Sequence, residues 1–341
     1  MAEGLAGLAV PVIAAPMAGG PSTPELVAAV NGAGGLGFLA AGYKSAAAMA
    51  EQIAAVRKLT DRPVGVNLFV PGGPGEDAAV PGYREVLLPE AGRWGVELPA
   101  AVRPDRDGWE AKLALLTADP VPYVSYTFGL PTAAEAAALR AVGTVQIGTV
   151  TSAAEARAAE AVGMDALCVQ GPEAGGHRGT HQVADEPGST PLLQLLGEVR
   201  AVTRLPLIAA GGLGDGGRIA AALAAGAAAV QLGTAYLRAD ESGASAAHRA
   251  ALVAAGSATV VTRAYTGRAA RGLRNAFIDR YGASAPKAYP AVHHLTAPIR
   301  GAAAKAGDTG TMHLWAGTAH AQARTGPAAE ITGELWRAAQ G

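Results

Sequence analysis

Short apolar runs recur along the chain, and each is followed by turn residues and then by an alanine-rich stretch with helical spacing. Runs that are apolar at every position predict strands buried on both faces, and alternation of strands with helices predicts parallel pairing. An open doubly wound sheet is the alternative to a barrel, but no dinucleotide-type GxGxxG follows the first run. The runs therefore predict an α/β fold, a (β/α)8 TIM barrel. They lie at 10–14, 35–40, 64–70, 121–127, 144–150, 166–169, 207–210 and 229–232.

The helical stretches carry start signals. Thr23-Pro24 supplies a cap hydroxyl and a proline near the first helical position. Thr132 and Ser152 each precede a glutamate by three residues, Glu135 and Glu155, which predicts two capping boxes. We predict helices at 23–33, 46–59, 132–142, 152–162, 190–202 and 216–225.

Two longer segments interrupt the alternation. We predict a barrel formed by 1–70 and 120–238, and a smaller, mainly helical second domain formed by 71–119 and 239–341. In barrels of this type the active site lies where the strands have their carboxyl ends. The second domain is therefore expected to form a lid over that face and to contact substrate.

Composition narrows the function classes. The formal net charge is −1 and no basic run stands out, which argues against nucleic acid as the main partner. The first residues lack the basic region of a signal peptide, and no uninterrupted apolar stretch reaches about 18 residues, so we expect no membrane partner. Cys168 is the only cysteine, is expected to be a buried apolar residue, and fits a reducing cytoplasm. Monomer and homodimer both stay open.

The segment 170–179, QGPEAGGHRG, is the strongest candidate for chemistry. It follows a predicted strand, and its glycines would let the backbone approach a ligand closely. Gln170 can donate and accept hydrogen bonds, and His177 can exchange a proton near neutral pH. Such a loop suits a flat heteroaromatic cofactor with a reacting group beside it.

Two further glycine clusters follow the last two predicted strands. Gly211 and Gly212 follow one, and Gly233-Thr234 follows the other. Loops at these positions of a barrel commonly bind phosphate through backbone N–H groups. We expect the Thr234 hydroxyl to join them, but a phosphosugar, FMN and a nucleotide all remain possible ligands.

The first and third strands add contacts that suit a ring. Pro16 and Met17 stand at the predicted barrel mouth, where a soft methionine can lie against a ring. Asn67 can bond a ring carbonyl or nitrogen, or it can tie down the next turn. Together with Gln170 and the phosphate loops, Asn67 would span a molecule of the length of FMN.

Most of the remaining histidine, charged and aromatic candidates are expected to have structural rather than catalytic roles. We expect His181 to be a loop residue, and His248, His313 and His320 to be surface or capping residues. His293 and His294 are candidate lid contacts to substrate, and Arg300 and Lys305 are expected to be solvated surface charges. Tyr123, Tyr126 and Phe128 either line the site or pack in the core. No cluster has metal-ligand spacing, so no metal is expected.

Taken together, these motifs resemble the nitronate monooxygenases, formerly 2-nitropropane dioxygenases, and specifically the bacterial class I group. The resemblance covers nearly the whole chain. One departure is Thr318, which follows the family-like 314–317 where a glutamine is expected, and this affects details near the lid. The matching segments are 15–20 with Thr23-Pro24 and 33–37, 127–131, 170–179, 209–212 through 233–234, 266–272 and 314–317.

The resemblance implies an FMN enzyme that oxidises alkyl nitronates, with propionate 3-nitronate favoured, by O₂ to a carbonyl compound and nitrite. It implies His177 as the catalytic residue. We hypothesise that His177 holds the nitronate oxygens and acts as base for neutral nitroalkanes. The substrates would be an anionic nitronate and O₂. The expected FMN-binding residues are Pro16, Met17, Ala18, Asn67, Gln170, Gly175, Gly176, Gly211, Gly212, Gln231, Leu232, Gly233 and Thr234.

Three other functions fit parts of the pattern. An NADH-dependent FMN reductase of quinones or enoyl thioesters would share the phosphate loops and be bleached by NADH. A non-catalytic flavin-binding protein would bind flavin without turning over any nitronate. A phosphosugar isomerase or lyase would be colourless.

Overall fold

The predicted apolar runs form a closed parallel barrel. The computed structural model describes residues 5, 7–73, 75–101, 105–254 and 256–341; the other residues of the two predicted domains lie outside this description. Within the described chain, the strands are β1 (Val12–Ala14), β2 (Leu36–Ala40), β3 (Gly65–Phe69), β4 (Tyr123–Thr127), β5 (Val145–Val150), β6 (Ala166–Gln170), β7 (Gly176–His177), β8 (Leu207–Ala210), β9 (Ala229–Leu232), β10 (Thr259–Thr262) and β11 (Ala270–Leu273).

Eight of these strands close in the order β1-β2-β3-β4-β5-β6-β8-β9, and β9 pairs back onto β1 with Ile13 beside Gln231. The (β/α)8 TIM barrel is confirmed. Each observed barrel strand lies within its predicted run, apart from β6, which extends one residue further to Gln170. Aromatic and aliphatic side chains such as Phe38 and Ile208 fill the interior, so the barrel is a packed core.

Helices surround the barrel. The described chain has α1 (Pro24–Gly32), α2 (Ala46–Leu59), α3 (Val80–Trp94), α4 (Trp109–Ala118), α5 (Ala133–Ala141), α6 (Ala153–Val162), α7 (Leu192–Arg200), α8 (Gly216–Ala224), α9 (Ala246–Ala251), α10 (Ala276–Tyr281), α11 (Ala291–Ala306) and α12 (Ala328–Ala339). Short 3₁₀ helices lie at Asp77–Ala79, Thr234–Tyr236, Gly282–Ser284 and His320–Gln322.

The predicted helix starts are largely correct. The Thr23 hydroxyl caps α1, and Thr132 and Glu135 form the predicted capping box of α5. The second box is only half right. Ser152 caps α6 by accepting from the N–H of Glu155, but the Glu155 carboxylate accepts from the N–H and hydroxyl of Thr151 and from the N–H of His181. That glutamate therefore ties the start of α6 to the loop after β6.

Two helices in the segments predicted to form the lid pack on the barrel. Trp109 and Leu116 of α4 join the apolar layer between strands and helices, and α4 contacts α2 and α5. Ile331 and Leu335 of α12 join the same layer, where α12 contacts α8 and α1. Both helices therefore bury apolar side chains in the layer around the barrel.

A second cluster of buried apolar side chains lies outside the barrel. Its members include Leu87 of α3, Phe277 of α10 and Leu295 of α11, and α3 packs against α11. We propose that the lid is this smaller unit. The antiparallel strands β10 and β11 join it to the loop after β6, because β11 also pairs with β7.

Candidate active site

A cavity of about 600 Å³ opens at the carboxyl ends of the barrel strands. Its volume lies within the roughly 300–1,000 Å³ of pockets that hold cofactors and drug-sized ligands. Every residue that the sequence nominated for the site lines this one cavity: Pro16, Met17, Ala18, Asn67, Gln170, Gly175, Gly176, His177, Gly211, Gly212, Gln231, Leu232, Gly233 and Thr234.

His177 reaches the cavity from a two-residue strand. Its backbone pairs with Ala270, and the N–H of the next residue, Arg178, donates to the Ala269 carbonyl. The imidazole Nε2 lies 2.9 Å from the hydroxyl oxygen of Thr266. Strand pairing and this hydrogen bond fix both the position and the rotation of the ring.

The surroundings of His177 keep it neutral. Burial, followed by the positive charges of Arg268 and Arg300, lowers its pKa to about 3. The rings of Phe128 and Trp315 lie 5.5 Å and 5.4 Å from the imidazole, centroid to centroid. An aromatic enclosure disfavours the imidazolium because it replaces water with apolar surface.

Gln170 holds the loop that carries His177. Its Nε2 donates to the His177 carbonyl at 3.0 Å, and its Oε1 accepts from the N–H of Gly179 at 2.8 Å. The amide therefore bridges the loop at the cavity wall. This positioning role was not predicted from the sequence, which considered Gln170 only as a ligand contact.

Asn67 is 2% exposed at the end of β3. Its amide nitrogen donates to the hydroxyls of Ser125 and Thr127, at 2.9 Å and 3.0 Å. Both partners lie on β4, so the amide is held in one orientation at the cavity wall. The alternative stated above, that Asn67 ties down the next turn, is wrong because its bonds go to β4. The side chain also lines the cavity.

The glycines of these clusters differ in whether contacts within the protein exclude a side chain at their positions. A Cβ on Gly175 would lie 2.4 Å from the nitrogen of Gly317, and one on Gly212 would lie 2.8 Å from the Cβ of Glu173. These glycines let loops of the protein approach one another. At Gly233, by contrast, a Cβ would meet only Ala15 and Met17, at ordinary contact distances of 3.5 Å and 3.7 Å. Protein packing therefore does not require a glycine at 233.

The loops after β8 and β9 present unpaired donors. Within the described chain, the N–H groups of Gly212, Gly233 and Thr234 form no hydrogen bond to a backbone carbonyl. The Thr234 hydroxyl accepts from the N–H of Gly317 at 2.9 Å. It keeps one proton to donate, so the loops together offer several hydrogen-bond donors to an anion.

The cavity floor is neutral. Gln231 donates from Nε2 to the Cys168 sulfur at 3.4 Å. Burial raises the pKa of the Cys168 thiol to about 12, so it stays protonated and unreactive. The prediction that Cys168 is a buried apolar residue is confirmed, and it also lines the floor.

Several lining residues come from positions to which the sequence gave other roles or none. His248 and His313 line the cavity and His320 is 7% exposed, so the surface alternative is wrong for all three. The capping alternative fits His320, because its Nδ1 bonds the carbonyl of Leu252, the C-cap residue of α9. His293 lines the cavity, whereas His294 bonds Asp105. Tyr43, Thr266, Arg300, Met312 and Trp315 also line it.

The other aromatic and charged candidates separate by position. Tyr123 and Tyr126 are buried in the core, and Phe128 lines the cavity. Lys305 is exposed, as predicted, but Arg300 is 8% exposed and is not a surface charge. Helix α11 brings Arg300 inward, which periodicity alone did not reveal because the helix buries one face against α3.

Comparison with known proteins decides the family. A family model described as nitronate monooxygenase matches residues 3–337. The chain is 36% identical over 331 residues to a probable nitronate monooxygenase of Staphylococcus aureus strain Newman, covering 95% of this chain and 93% of that protein. The chain belongs to the nitronate monooxygenase family. It is accordingly an enzyme, an oxidoreductase of a flavin-dependent kind.

Solved structures agree with this assignment. A nitroalkane oxidase from Streptomyces ansochromogenes is 49% identical and superposes with a TM-score of 0.94, over 98% of this chain and 97% of that one. FabK from Thermotoga maritima is 27% identical with a TM-score of 0.75, over 98% and 94%. The architecture is thus shared with FabK over nearly the whole chain.

The described residues contain neither a membrane-spanning helix nor a metal-binding cluster. No helix there is long and apolar enough to cross a membrane. No group of three or more histidine, cysteine, aspartate or glutamate side chains in the same residues is placed to hold a metal ion. The cytoplasmic location and the choice between monomer and homodimer stay predictions.

Proposed function

We propose that this nitronate monooxygenase family member uses FMN and O₂ to oxidise alkyl nitronates to a carbonyl compound and nitrite, with propionate 3-nitronate as a favoured substrate. The observation that carries the proposal is the charge of the cavity. Arg300 lines it, whereas no aspartate or glutamate does among the described residues. A cationic cavity without an acidic counterion favours an anionic ligand. A nitronate is an anion.

The cavity also suits FMN. The unpaired N–H groups of Gly212, Gly233 and Thr234 would bind its phosphate, as loops after the last two strands do in related barrels. Asn67, Gln170 and Gln231 would face the ring, with Pro16, Met17 and Ala18 beside it. When bound, FMN supplies one-electron transfer between the nitronate and O₂.

His177 would bind the nitronate rather than deprotonate a neutral nitroalkane. With its pKa lowered to about 3, the ring is neutral near pH 7 and is a weak base. A neutral imidazole still donates one hydrogen bond, which can hold a nitronate oxygen. The low pKa therefore favours the binding role of His177 over its role as a base for neutral nitroalkanes.

The aromatic wall would keep water from the reacting atoms. Phe128 and Trp315 flank His177, and Tyr289 lies 5.8 Å from it between ring centroids. Excluding water strengthens every hydrogen bond to the bound anion and protects reactive species from side reactions. What remains for the protein is to orient the nitronate, and His177 is held rigidly enough to do so.

Oxygen uptake by the purified yellow protein tests the proposal. With propionate 3-nitronate we expect O₂ consumption with release of nitrite, and no anaerobic bleaching of the flavin by NADH. Bleaching by NADH without nitronate turnover would instead establish the FMN reductase alternative. Flavin binding with neither reaction would indicate a non-catalytic flavoprotein.

The His177→Asn variant tests the residue. Asparagine keeps a donor of similar reach but lacks the ring held between Thr266 and the aromatic wall. We expect turnover to fall by a factor of about 100 or more while FMN stays bound. Unchanged turnover would leave His177 as a loop residue only.

A further inference from the structure

Arg300 is a nearly buried cation that faces the cavity. It is 8% exposed, and its Nε donates to the Thr296 hydroxyl at 3.0 Å while Nη2 donates to the His293 carbonyl at 2.8 Å. Both acceptors belong to α11 itself, so they orient the guanidinium without neutralising it. Within the described chain, Nη1 has no hydrogen-bond acceptor.

The charge of Arg300 has no acidic partner. Among the described residues, no carboxylate lies within 4.0 Å of it, although twelve other pairs of a lysine or arginine with a carboxylate form there. A buried charge is costly unless it is paired. An arginine kept at the wall of a ligand cavity without a carboxylate is therefore placed for an anion that arrives with the ligand.

His293 provides a second hydrogen-bond donor beside Arg300. Its Nδ1 lies 3.2 Å from Nη2 of Arg300, so Nδ1 accepts and the neutral ring carries its proton on Nε2. Tyr43 stacks on this ring at 4.1 Å with 3° between the planes. The stack holds the imidazole in place, and both side chains line the cavity.

This pair lies apart from the predicted phosphate loops. Tyr43, which stacks on His293, also contacts Phe69 at the end of β3, with 5.3 Å between ring centroids. The unpaired N–H groups follow β8 and β9 instead. The cavity thus has a cationic end of its own, above β2 and β3.

We propose that Arg300 and His293 bind a carboxylate carried by the substrate, so that the enzyme selects nitronates with a second anionic group a few bonds from the nitronate. The inference rests on the proposed function and adds the residues that set its specificity. A guanidinium suits a carboxylate because its fork of N–H donors matches two oxygens.

A kinetic comparison tests the selection. In Arg300→Met, we expect KM for propionate 3-nitronate to rise about 10- to 100-fold, the value of a charge-assisted hydrogen bond. For butyl-1-nitronate, which ends in a methyl group, KM should change several-fold at most. Equal losses for both substrates would overturn the proposal, because Arg300 would then act only on the nitronate itself.

A binding measurement separates this inference from the proposed function. Succinate matches propionate 3-nitronate in length and charge, whereas succinamide has the same length and carries no charge. By calorimetry the FMN-loaded enzyme should bind succinate at least about tenfold more tightly than succinamide, and Arg300→Met should remove most of the difference. If succinate binds this way but nitronates are not oxidised, the subsite stands and the proposed function fails. Equal binding of the two compounds, or a difference that survives in Arg300→Met, overturns the subsite.

Two control variants separate the effect of the Arg300 guanidinium from a general loss of positive charge. Lys305→Met removes an exposed positive charge from the same helix and should leave both the KM ratio and the succinate preference unchanged. Arg300→Lys keeps the charge without the fork and should retain part of the preference. Loss of FMN from folded Arg300→Met would assign Arg300 to the cofactor phosphate and overturn the proposal.

Discussion

His177 and Thr266 meet across the junction between the loop after β6 and the lid segment, with 2.9 Å between Nε2 and the hydroxyl oxygen. The Thr266 hydroxyl also lies 3.3 Å from the Arg268 carbonyl oxygen, so its one proton can go either to that oxygen or to Nε2 of His177. When it goes to Nε2, the neutral imidazole carries its own proton on Nδ1 and can donate it to a ligand. The orientation and the tautomer of the candidate catalytic ring thus depend on a residue 89 positions away in sequence.

Replacing Thr266 with valine tests this relationship. Valine keeps the shape but removes the hydroxyl that orients the imidazole, so we expect kcat to fall about tenfold or more with FMN retained. Thr266→Ser restores the hydroxyl and should recover most of the activity. A folded Thr266→Val enzyme with the wild-type kcat would show that strand pairing alone positions His177.

Neutral buried histidines should make the fold sensitive to acid. Burial, followed by the charge of Arg300, lowers the pKa of His293 from 6.5 to about 2. Between those values the unfolded chain binds a proton that the folded chain does not, so stability falls as pH drops below 6.5. From there to about pH 5, one such histidine costs up to about 2 kcal/mol.

The His293→Gln variant isolates that contribution. Glutamine can still accept from Arg300 but does not titrate, so its free energy of unfolding should fall less steeply below pH 6.5 than that of the wild type. Chemical denaturation at several pH values measures both slopes. Parallel curves would mean that His293 is protonated in the folded state as readily as in the unfolded one.

The barrel and the strand-end residues were predictable because they depend on local pattern. Apolar runs give strands, and parallel strands bring their carboxyl ends together, so Asn67, Gln170 and Gly233 had to meet. Arg300 was assigned to the surface, and His313 to the surface or a cap, because nothing near them in sequence reports what α11 and the segment after it pack against. The packing of α3 on α11 and the bridge between Gly272 of β11 and Trp315 position them at the cavity.

The sequence also did not reveal why a glycine is needed at each of these positions. Gly175 was nominated as a cofactor contact, and it does line the cavity, but its missing Cβ makes room for Ala316 and Gly317. A glycine admitting a ligand and a glycine admitting another loop look alike in sequence. The structure distinguishes them, because an added Cβ would clash with protein atoms in one case and with the ligand in the other.

Gly175→Ala should therefore destabilise the protein. The added methyl would lie 2.4 Å from the Gly317 nitrogen and 2.5 Å from the Ala316 carbonyl carbon, so backbone must move. We expect a loss of about 1–3 kcal/mol, as in overpacked cores. Gly188→Ala is the control, because nothing lies within 4 Å of its added Cβ, and it should change stability by less than about 0.5 kcal/mol. Equal stability of the two variants would contradict the close approach.

Gly233→Ala should leave the stability of the protein nearly unchanged but reduce its FMN content. The protein tolerates a methyl here, since the nearest atoms lie at 3.5 Å and 3.7 Å and φ is −107°, a value open to any residue. If the phosphate of FMN lies against this backbone, the methyl occupies the space of the ligand, and we expect a folded protein that loses most of its FMN. Thermal unfolding and the flavin content of the purified protein measure the two effects separately.

Gly197→Ala serves as the matched control for that variant. Nothing lies within 4 Å of its added Cβ, and the residue is inside α7, so alanine should hold FMN as the wild type does and raise stability by up to about 1 kcal/mol. Full FMN content in Gly233→Ala would move the phosphate away from the loop after β9. In that case the unpaired N–H of Gly212 would be the next candidate, since it faces the same cavity from the loop after β8.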